Sequence, residues 1–80
     1  MNEQNARTAV LAAINTVAPE VDTDSLGTES RLRQDLELDS LDFLEVLERI
    51  AQSTGVITVE EDYPTLTTVQ SLIDHVVARA

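Results

Sequence analysis

The stretch DLELDSLDFLEVLERIAQSTG, residues 35–55, decides the fold. Its apolar residues recur at three- and four-residue spacing, which predicts an amphipathic helix over about 40–53. Asp39 is suited to be the N-cap of this helix, with Asp42 three positions on, and Gly55 is a natural stop just beyond it. At about 100° per residue, one side of the helix gathers residues that we expect to face the core: Phe43, Val46, Leu47, Ile50 and Ala51.

Two more segments have helical periodicity. The first can be capped by Asn2 and should end before Pro19, and its apolar stripe comprises Ala6, Ala9, Val10, Ala13, Ile14 and Val17. The last opens with Thr67 and Gln70 at capping-box spacing, and its apolar face comprises Val69, Leu72, Ile73, Val76 and Val77.

A short helical turn is predicted at 58–61, where capping-box spacing recurs, and Pro64 closes it. No alternation of apolar and polar residues lasts long enough for a sheet. The chain is therefore predicted to be all-α, a small four-helix bundle of three longer helices and one short one, forming a single domain over 1–80. A long loop, 18–38, joins the first two helices, and four leucines are expected to pin it to the bundle: Leu26, Leu32, Leu36 and Leu38.

Composition narrows the function classes. The chain is 42% hydrophobic and has no cysteine, which fits a folded protein in a reducing compartment. No apolar run reaches the length of a membrane span, and the N-terminus lacks the pattern of a signal peptide, so we expect a cytoplasmic soluble protein. We also expect it to be a monomer. Fifteen acidic residues against five arginines give a formal charge of −10, which argues against nucleic acid and anionic membranes as partners. Basic protein surfaces fit this charge better.

The tripeptide Asp-Ser-Leu occurs twice, around Ser25 and around Ser40. Ser25 is followed by no periodic apolar pattern, and its Asp and Gly neighbours are typical of a turn. Ser40 stands at the start of the middle helix, where free backbone N–H groups and the positive end of the helix dipole favour an attached anion such as a phosphate ester. The residues alone leave open a simpler role for Ser40 in capping the helix.

An exposed strip beside this serine is the second functional signal. Leu41 lies on the side of the helix away from the core and Leu44 at the edge of the apolar stripe. Between residues 35 and 48 there are six acids and no base: Asp35, Glu37, Asp39, Asp42, Glu45 and Glu48. Apolar anchors flanked by carboxylates fit a docking surface for a basic partner, although isolated surface leucines need no function.

At these residues the sequence resembles the acyl carrier protein family. The resemblance rests on Asp39-Ser40-Leu41-Asp42 at the start of an acidic helix that follows a long loop, and on TLTTVQSLIDHV in the last helix. It covers the chain from Ala6 to Val77. It implies that Ser40 is the attachment point for 4′-phosphopantetheine, transferred from coenzyme A by a phosphopantetheinyl transferase, with an acyl group carried as a thioester on the thiol of the arm.

The resemblance also assigns a recognition role to the residues that match the partner-facing positions of the family: Asp39, Leu41, Asp42, Leu44, Glu45 and Glu48. It implies a carrier that is not an enzyme and that presents acyl intermediates to fatty-acid, lipid or polyketide-type biosynthetic enzymes with basic docking surfaces. Leu38, Phe43 and Arg49 depart from the pattern of the housekeeping fatty-acid carriers, so a specialised carrier, including one for aminoacyl or peptidyl groups, is an alternative. The aliphatic core, whose only aromatic residues are Phe43 and Tyr63, could part to admit an acyl chain.

Other functions stay open on the sequence. Residues 22–27 begin like an EF-hand calcium loop, but Leu26 and Arg33 occupy positions where that loop needs oxygen ligands, so no metal ligand is assigned and only weak divalent binding to clustered acids is expected. A small acidic helical adaptor without a prosthetic group would use Ser40 only as a cap. Catalysis by the chain itself is least favoured, and His75, the only histidine, is expected to be a solvated surface residue.

Overall fold

A computed structural model describes all residues, 1–80, and contains four helices and no strand. These are α1 (Glu3–Val17), α2 (Ser40–Thr54), a short 3-10 helix (Glu60–Thr65) and α3 (Val69–Arg79). The prediction of a small all-α bundle, with three longer helices, one short one and a long loop between the first two, is confirmed. No helix has both the length and the apolar character that crossing a membrane requires.

The ends of α1 and α2 follow the signals in the sequence. The side chain of Asn2 accepts a hydrogen bond from the Asn5 N–H at 2.7 Å and so caps α1. Helix α1 ends at Val17 because the residue before Pro19 is pushed out of the helical region. Gly55 ends α2 in the left-handed conformation, with φ of 80°, which glycine adopts without a steric penalty.

Two predicted caps are wrong. The N-cap of α3 is Thr68, not Thr67: the Thr68 Oγ1 accepts the Ser71 N–H at 3.1 Å, and the Ser71 Oγ accepts the Thr68 N–H at 2.9 Å. The 3-10 helix begins after Val59 without any side-chain cap, so Thr58 does not cap it, and it continues through Pro64 to Thr65, so Pro64 does not close it. Both errors arise because threonine with a hydrogen-bonding residue three positions on is a common pattern, and only packing selects the register.

Packing is organised around α1, which contacts both α2 and α3. Helix α2 buries Val46, Leu47 and Ile50 in a core of 17 apolar residues, while Phe43 and Ala51 are half-buried at its edge. Val77, predicted to lie on the apolar face of α3, is instead 37% exposed near the end of that helix. The buried face of α2 leaves its opposite face, which begins beside Ser40, open to solvent.

The loop between α1 and α2 is held firmly despite its length. Leu32, Leu36 and Leu38 are buried and Leu26 is half-buried, as predicted. The backbone of the loop also bonds to the start of α3: the Leu32 N–H donates to the Thr67 carbonyl at 2.9 Å, with two further bonds from Val69 to Ser30 and from Gln70 to Thr28. These contacts fix the position of the loop and therefore the position at which α2 starts.

One residue in this loop has unusual backbone geometry. Glu37 adopts a left-handed conformation with φ of 57°, which costs a residue other than glycine about 1–2 kcal/mol. Its two neighbours, Leu36 and Leu38, are buried, and the Leu38 N–H donates to the Leu32 carbonyl at 3.1 Å. These contacts hold the turn that leads the chain into Asp39.

His75 lies in the interior and not on the surface, so that prediction is wrong. Its side chain is 6% exposed, and its Nε2 lies 2.9 Å from the Oγ1 of Thr58. Burial lowers the pKa of His75, the positive charge of Arg79 lowers it further, and Asp62 opposes the change. His75 therefore joins α3 to the segment between α2 and the 3-10 helix, a contact that no local pattern predicts.

Candidate functional site

Ser40 is the first residue of α2 and is exposed. The helix start is fixed by a reciprocal pair of hydrogen bonds, in which the Asp39 Oδ1 accepts the Asp42 N–H at 2.8 Å and the Asp42 Oδ2 accepts the Asp39 N–H at 3.4 Å. Capping is therefore performed by Asp39 and Asp42, and no hydrogen bond within the protein engages the Ser40 hydroxyl. The simpler interpretation of Ser40 as a cap does not fit this geometry.

Two backbone N–H groups at the start of α2 are unpaired and can bind an anion. Neither the Ser40 N–H nor the Leu41 N–H donates a hydrogen bond within the protein, whereas the next two amides, of Asp42 and Phe43, both bond to Asp39. Unpaired N–H groups and the positive end of the helix dipole together stabilise a negative group attached nearby. A phosphate ester on the Ser40 oxygen fits these donors.

Ser25 has a different environment, although it shares the same tripeptide. It lies in a turn, as predicted, and its hydroxyl donates to the Asp22 Oδ2 at 2.7 Å. The Asp22 side chain also accepts the Asp24 N–H at 3.2 Å, so the turn is organised around one carboxylate. Of the two serines, only Ser40 therefore offers a free hydroxyl at a helix N-terminus.

The residues expected to recognise partners lie between the N-cap and the middle of α2. Leu41 is 77% exposed and Leu44 is 44% exposed, so α2 carries two large apolar side chains at its surface close to Ser40. Asp39, Glu45 and Glu48 are exposed, and Asp42, which caps the helix, is half-buried. Two exposed apolar side chains therefore lie among acidic side chains on the helix that Ser40 begins.

A groove beside Ser40 was not predicted from the sequence. It has a volume of about 620 Å³ and is lined by Ser40, Phe43 and Leu44 of α2, by Tyr63 and Pro64 of the 3-10 helix, and by Leu66. The rings of Phe43 and Tyr63 meet edge to face, with centroids 5.5 Å apart and an interplanar angle of 88°. The signal that could have revealed the groove is that the chain has one phenylalanine, one tyrosine and no tryptophan, and that the two stand three and twenty-three positions after Ser40.

Arginines approach the same groove from the loop before α2. Arg31 pairs with Asp35, with the Nη2 3.1 Å from the Oδ1 and the Nε 3.3 Å from the Oδ2. The hydrogen bonds from the Arg31 side chain and backbone lower the pKa of Asp35, and the same pairing raises the pKa of Arg31. Arg33 forms no ion pair and no side-chain hydrogen bond.

No three histidine, aspartate or glutamate side chains converge in an arrangement that could hold a metal ion. The carboxylate of Asp22, which would open a calcium loop, is instead engaged by Asp24 and Ser25. The geometry therefore gives no support to the EF-hand alternative.

Fold and site together define a class: small, acidic helical proteins that offer a free serine hydroxyl at a helix N-terminus, beside exposed leucines and carboxylates. The family described as the phosphopantetheine attachment site matches residues 8–76. An acyl carrier protein of Rubrobacter xylanophilus is 35% identical over 57 residues, covering 71% of this chain and 70% of that protein. The chain belongs to the acyl carrier protein family of phosphopantetheine carrier domains, and its cofactor is covalently bound 4′-phosphopantetheine.

Proposed function

We propose that Ser40 is the residue to which 4′-phosphopantetheine is attached, and that the chain carries acyl intermediates as thioesters between biosynthetic enzymes. The single observation that carries this proposal is the exposed Ser40 hydroxyl, free of hydrogen bonds at the head of α2, inside the region that the family matches. When bound, the cofactor supplies a thiol at the end of a long arm. The chain supplies the anchor for this arm.

The first turn of α2 supports a phosphodiester at Ser40. The free N–H groups of Ser40 and Leu41 offer two donors, and Asp39 holds the helix start in place through the Asp42 N–H. The negative charges of Asp39 and Asp42 act in the opposite sense and raise the energy of a nearby phosphate. A cation near Ser40 would therefore stabilise the phosphodiester.

Partner enzymes would dock on the face of α2 next to the arm. Leu41 and Leu44 provide apolar anchors, and Glu45 and Glu48 attract a basic surface and align it. The partners we propose are a phosphopantetheinyl transferase, which installs the arm, and the enzymes that load and use the acyl group. The chain performs no chemistry of its own; it keeps the acyl group at high effective concentration for each docked enzyme.

An acyl cargo is favoured over an aminoacyl or peptidyl cargo because the relative from Rubrobacter xylanophilus is named an acyl carrier protein. We place the chain in a pathway of the fatty-acid, lipid or polyketide type. Mass spectrometry of the loaded protein, isolated from its own cells, distinguishes these cargoes directly, because an aminoacyl group adds nitrogen that a simple acyl group lacks.

The attachment site is tested by incubating the apo protein with coenzyme A and a phosphopantetheinyl transferase and measuring its intact mass. The wild type should gain one arm, and Ser40→Ala should gain none. Ser25→Ala is the matched control, since it removes the other serine of an Asp-Ser-Leu tripeptide, and it should gain one arm at the wild-type rate. No gain by the wild type, or a gain lost only in Ser25→Ala, would contradict the proposal, and the first result would favour an adaptor without a prosthetic group.

A further inference from the structure

A short extended segment, residues 55–59, joins α2 to the 3-10 helix and has no part in the proposed attachment site. After Gly55 its residues are all β-branched, Val-Ile-Thr-Val, and such residues favour extended backbone. The segment ends at Val59 with φ of −95° and ψ of 154°, in the β region. It pairs with no other strand, because the one β-bridge of the structure joins Arg31 to Thr68.

The side chains of this segment alternate between the core and the solvent. Val56 is 4% exposed in the core, and Thr58 is half-buried with its Oγ1 2.9 Å from the Nε2 of His75. Ile57 is 74% exposed and Val59 is 49% exposed. This alternation is that of a β-strand with one packed face. The inner contacts fix the segment, and the outer face presents two uncovered apolar side chains.

The backbone of the segment is also largely unpaired. The N–H groups of Ile57, Thr58 and Val59 donate no hydrogen bond within the protein, and the carbonyls of Val56, Ile57 and Thr58 accept none. Only the Val56 N–H and the Val59 carbonyl, at the two ends, are engaged. A fixed extended segment with free donors and acceptors is a template to which another extended chain can pair as an added strand.

The charge next to the segment selects the kind of chain that fits. Glu60 and Glu61 follow it directly, and both are exposed and form no ion pair, whereas Asp62 is paired with Arg79. The sequence has no lysine or arginine between Arg49 and Arg79. A second copy of this chain, itself with a formal charge of −10, would bring like charges together. A basic segment complements these carboxylates.

We propose that residues 56–59 form a docking edge, to which a partner protein adds an extended, basic segment as a β-strand. Main-chain hydrogen bonds join the two strands, apolar side chains of the added strand cover Ile57 and Val59, and its basic residues contact Glu60 and Glu61. Helix α2 has 15 residues, so the edge begins about 20 Å along the helix from Ser40. None of its residues lines the groove beside Ser40. A partner bound at this edge therefore leaves Ser40 and its surroundings accessible to an enzyme.

The test is an NMR titration of the full chain at low salt with a synthetic peptide, in which two lysines stand on each side of a Val-Thr-Val-Thr-Val core. The backbone amide signals of residues 57–59 should shift most and should saturate, and about 0.5 M salt should weaken the binding. The same peptide N-methylated throughout its core keeps its charges but cannot donate main-chain hydrogen bonds, so it should cause no such shifts. A peptide with glutamates in place of the lysines should not bind.

Ile57→Thr should weaken the binding of the lysine peptide about threefold, because an apolar cross-strand contact is lost. The variant should fold normally, since Ile57 is 74% exposed and threonine is also β-branched. Val77→Thr is the matched control. Val77 is 37% exposed on α3, about 200° around that helix from His75, which contacts the segment. This control should bind as the wild type does.

The contribution of charge is tested separately. Glu60→Gln combined with Glu61→Gln should weaken the binding of the lysine peptide at low salt. Glu20→Gln combined with Glu29→Gln makes the same change in net charge on two exposed residues of the loop between α1 and α2 and should have little effect. Equal weakening by both pairs would show that only the net charge attracts the peptide, and would overturn the assigned contact.

Three further results would overturn the docking edge. The first is equal shifts with the N-methylated peptide, which would leave only attraction between charges. The second is the absence of a saturable shift at 57–59, or shifts centred instead on Glu45 and Glu48. The third is signals of 57–59 that move with protein concentration alone, which would make a second copy the occupant. The titration should give the same result with Ser40→Ala, so the docking edge and the attachment site stand or fall separately.

Discussion

Asp39 and Asp42 each accept the backbone N–H of the other, at 2.8 Å for the bond to Asp39 and 3.4 Å for the bond to Asp42. The same two residues stand on either side of Ser40 and Leu41, and both belong to the proposed recognition surface. The structural and recognition roles of these carboxylates therefore overlap, and a simple deletion of either one would confuse the two roles. Substitutions that keep one role and remove the other can separate them.

Asp39→Ala should lower the free energy of unfolding by about 1 kcal/mol, the usual effect of losing an N-cap. Asp39→Asn should stay close to the wild type in chemical denaturation, because asparagine caps helices as well as aspartate does. Both variants should be modified more slowly by the transferase, since both lose the charge. If Asp39→Asn were modified at the wild-type rate, the charge of Asp39 would have no part in recognition.

Leu41→Ala should leave the free energy of unfolding within about 0.5 kcal/mol of the wild type, because Leu41 is 77% exposed. The same variant should slow modification by the transferase at least fivefold, the effect of about 1 kcal/mol at an interface. Leu47→Ala, on the same helix but 6% exposed, is the contrasting variant. It should lose about 2–5 kcal/mol, most of the stability expected of so small a core. If Leu41→Ala destabilised the protein but left its modification unchanged, Leu41 would belong to the core and not to the docking surface.

Glu45→Gln combined with Glu48→Gln should slow modification about threefold or more at low ionic strength, because the two charges steer a basic partner. The difference from the wild type should shrink in about 0.5 M salt as screening removes the steering. Glu60→Gln combined with Glu61→Gln makes the same change in net charge on exposed residues of the 3-10 helix. If this control pair slowed modification equally, only the net charge of the chain would matter.

His75 should make folding depend on pH. Burial lowers the pKa of His75 in the folded protein, so the unfolded chain binds a proton more readily. Above about pH 6.5, the ordinary pKa of histidine, the neutral imidazole makes its full contribution to the free energy of unfolding. This contribution is lost as the pH falls from about 6.5 toward the lower pKa that His75 has in the folded state. Melting temperatures measured from pH 7.5 to 5.5 should fall more steeply for the wild type than for His75→Gln.

Glutamine at position 75 can still bond to Thr58 but cannot titrate, and the carboxylates are the same in both proteins. Their effects on the pH profile therefore cancel in the difference. Parallel profiles for the two proteins would show that His75 is protonated without cost in the folded state, in conflict with its burial.

Local patterns predicted those parts of the molecule that depend on neighbours in sequence. The N-cap of α2, the stop at Gly55 and the exposure of Leu41 follow from residue types within one or two helical turns. The loop leucines were also predictable, because apolar residues in a long polar segment need a buried partner. These same elements place Ser40 at an exposed helix start.

The parts that were missed depend on contacts between distant segments. His75 and Thr58 are 17 positions apart, and periodicity within α3 cannot show that the segment after Gly55 covers one side of that helix. The groove is formed by α2, the 3-10 helix and the loop together, so no single stretch of sequence contains it. None of the residues that line the groove is acidic, and this is apparent only in the folded chain.

The central claim is that Ser40 carries the arm, and mass spectrometry of the protein isolated from its own cells tests it most directly. Cleavage after Arg33 and Arg49 releases residues 34–49, in which Ser40 has the only hydroxyl side chain. This peptide should carry the mass of 4′-phosphopantetheine, with or without an acyl group. An unmodified 34–49 peptide throughout the sample, with the arm found instead on the 8–31 peptide that contains Ser25, would contradict the account.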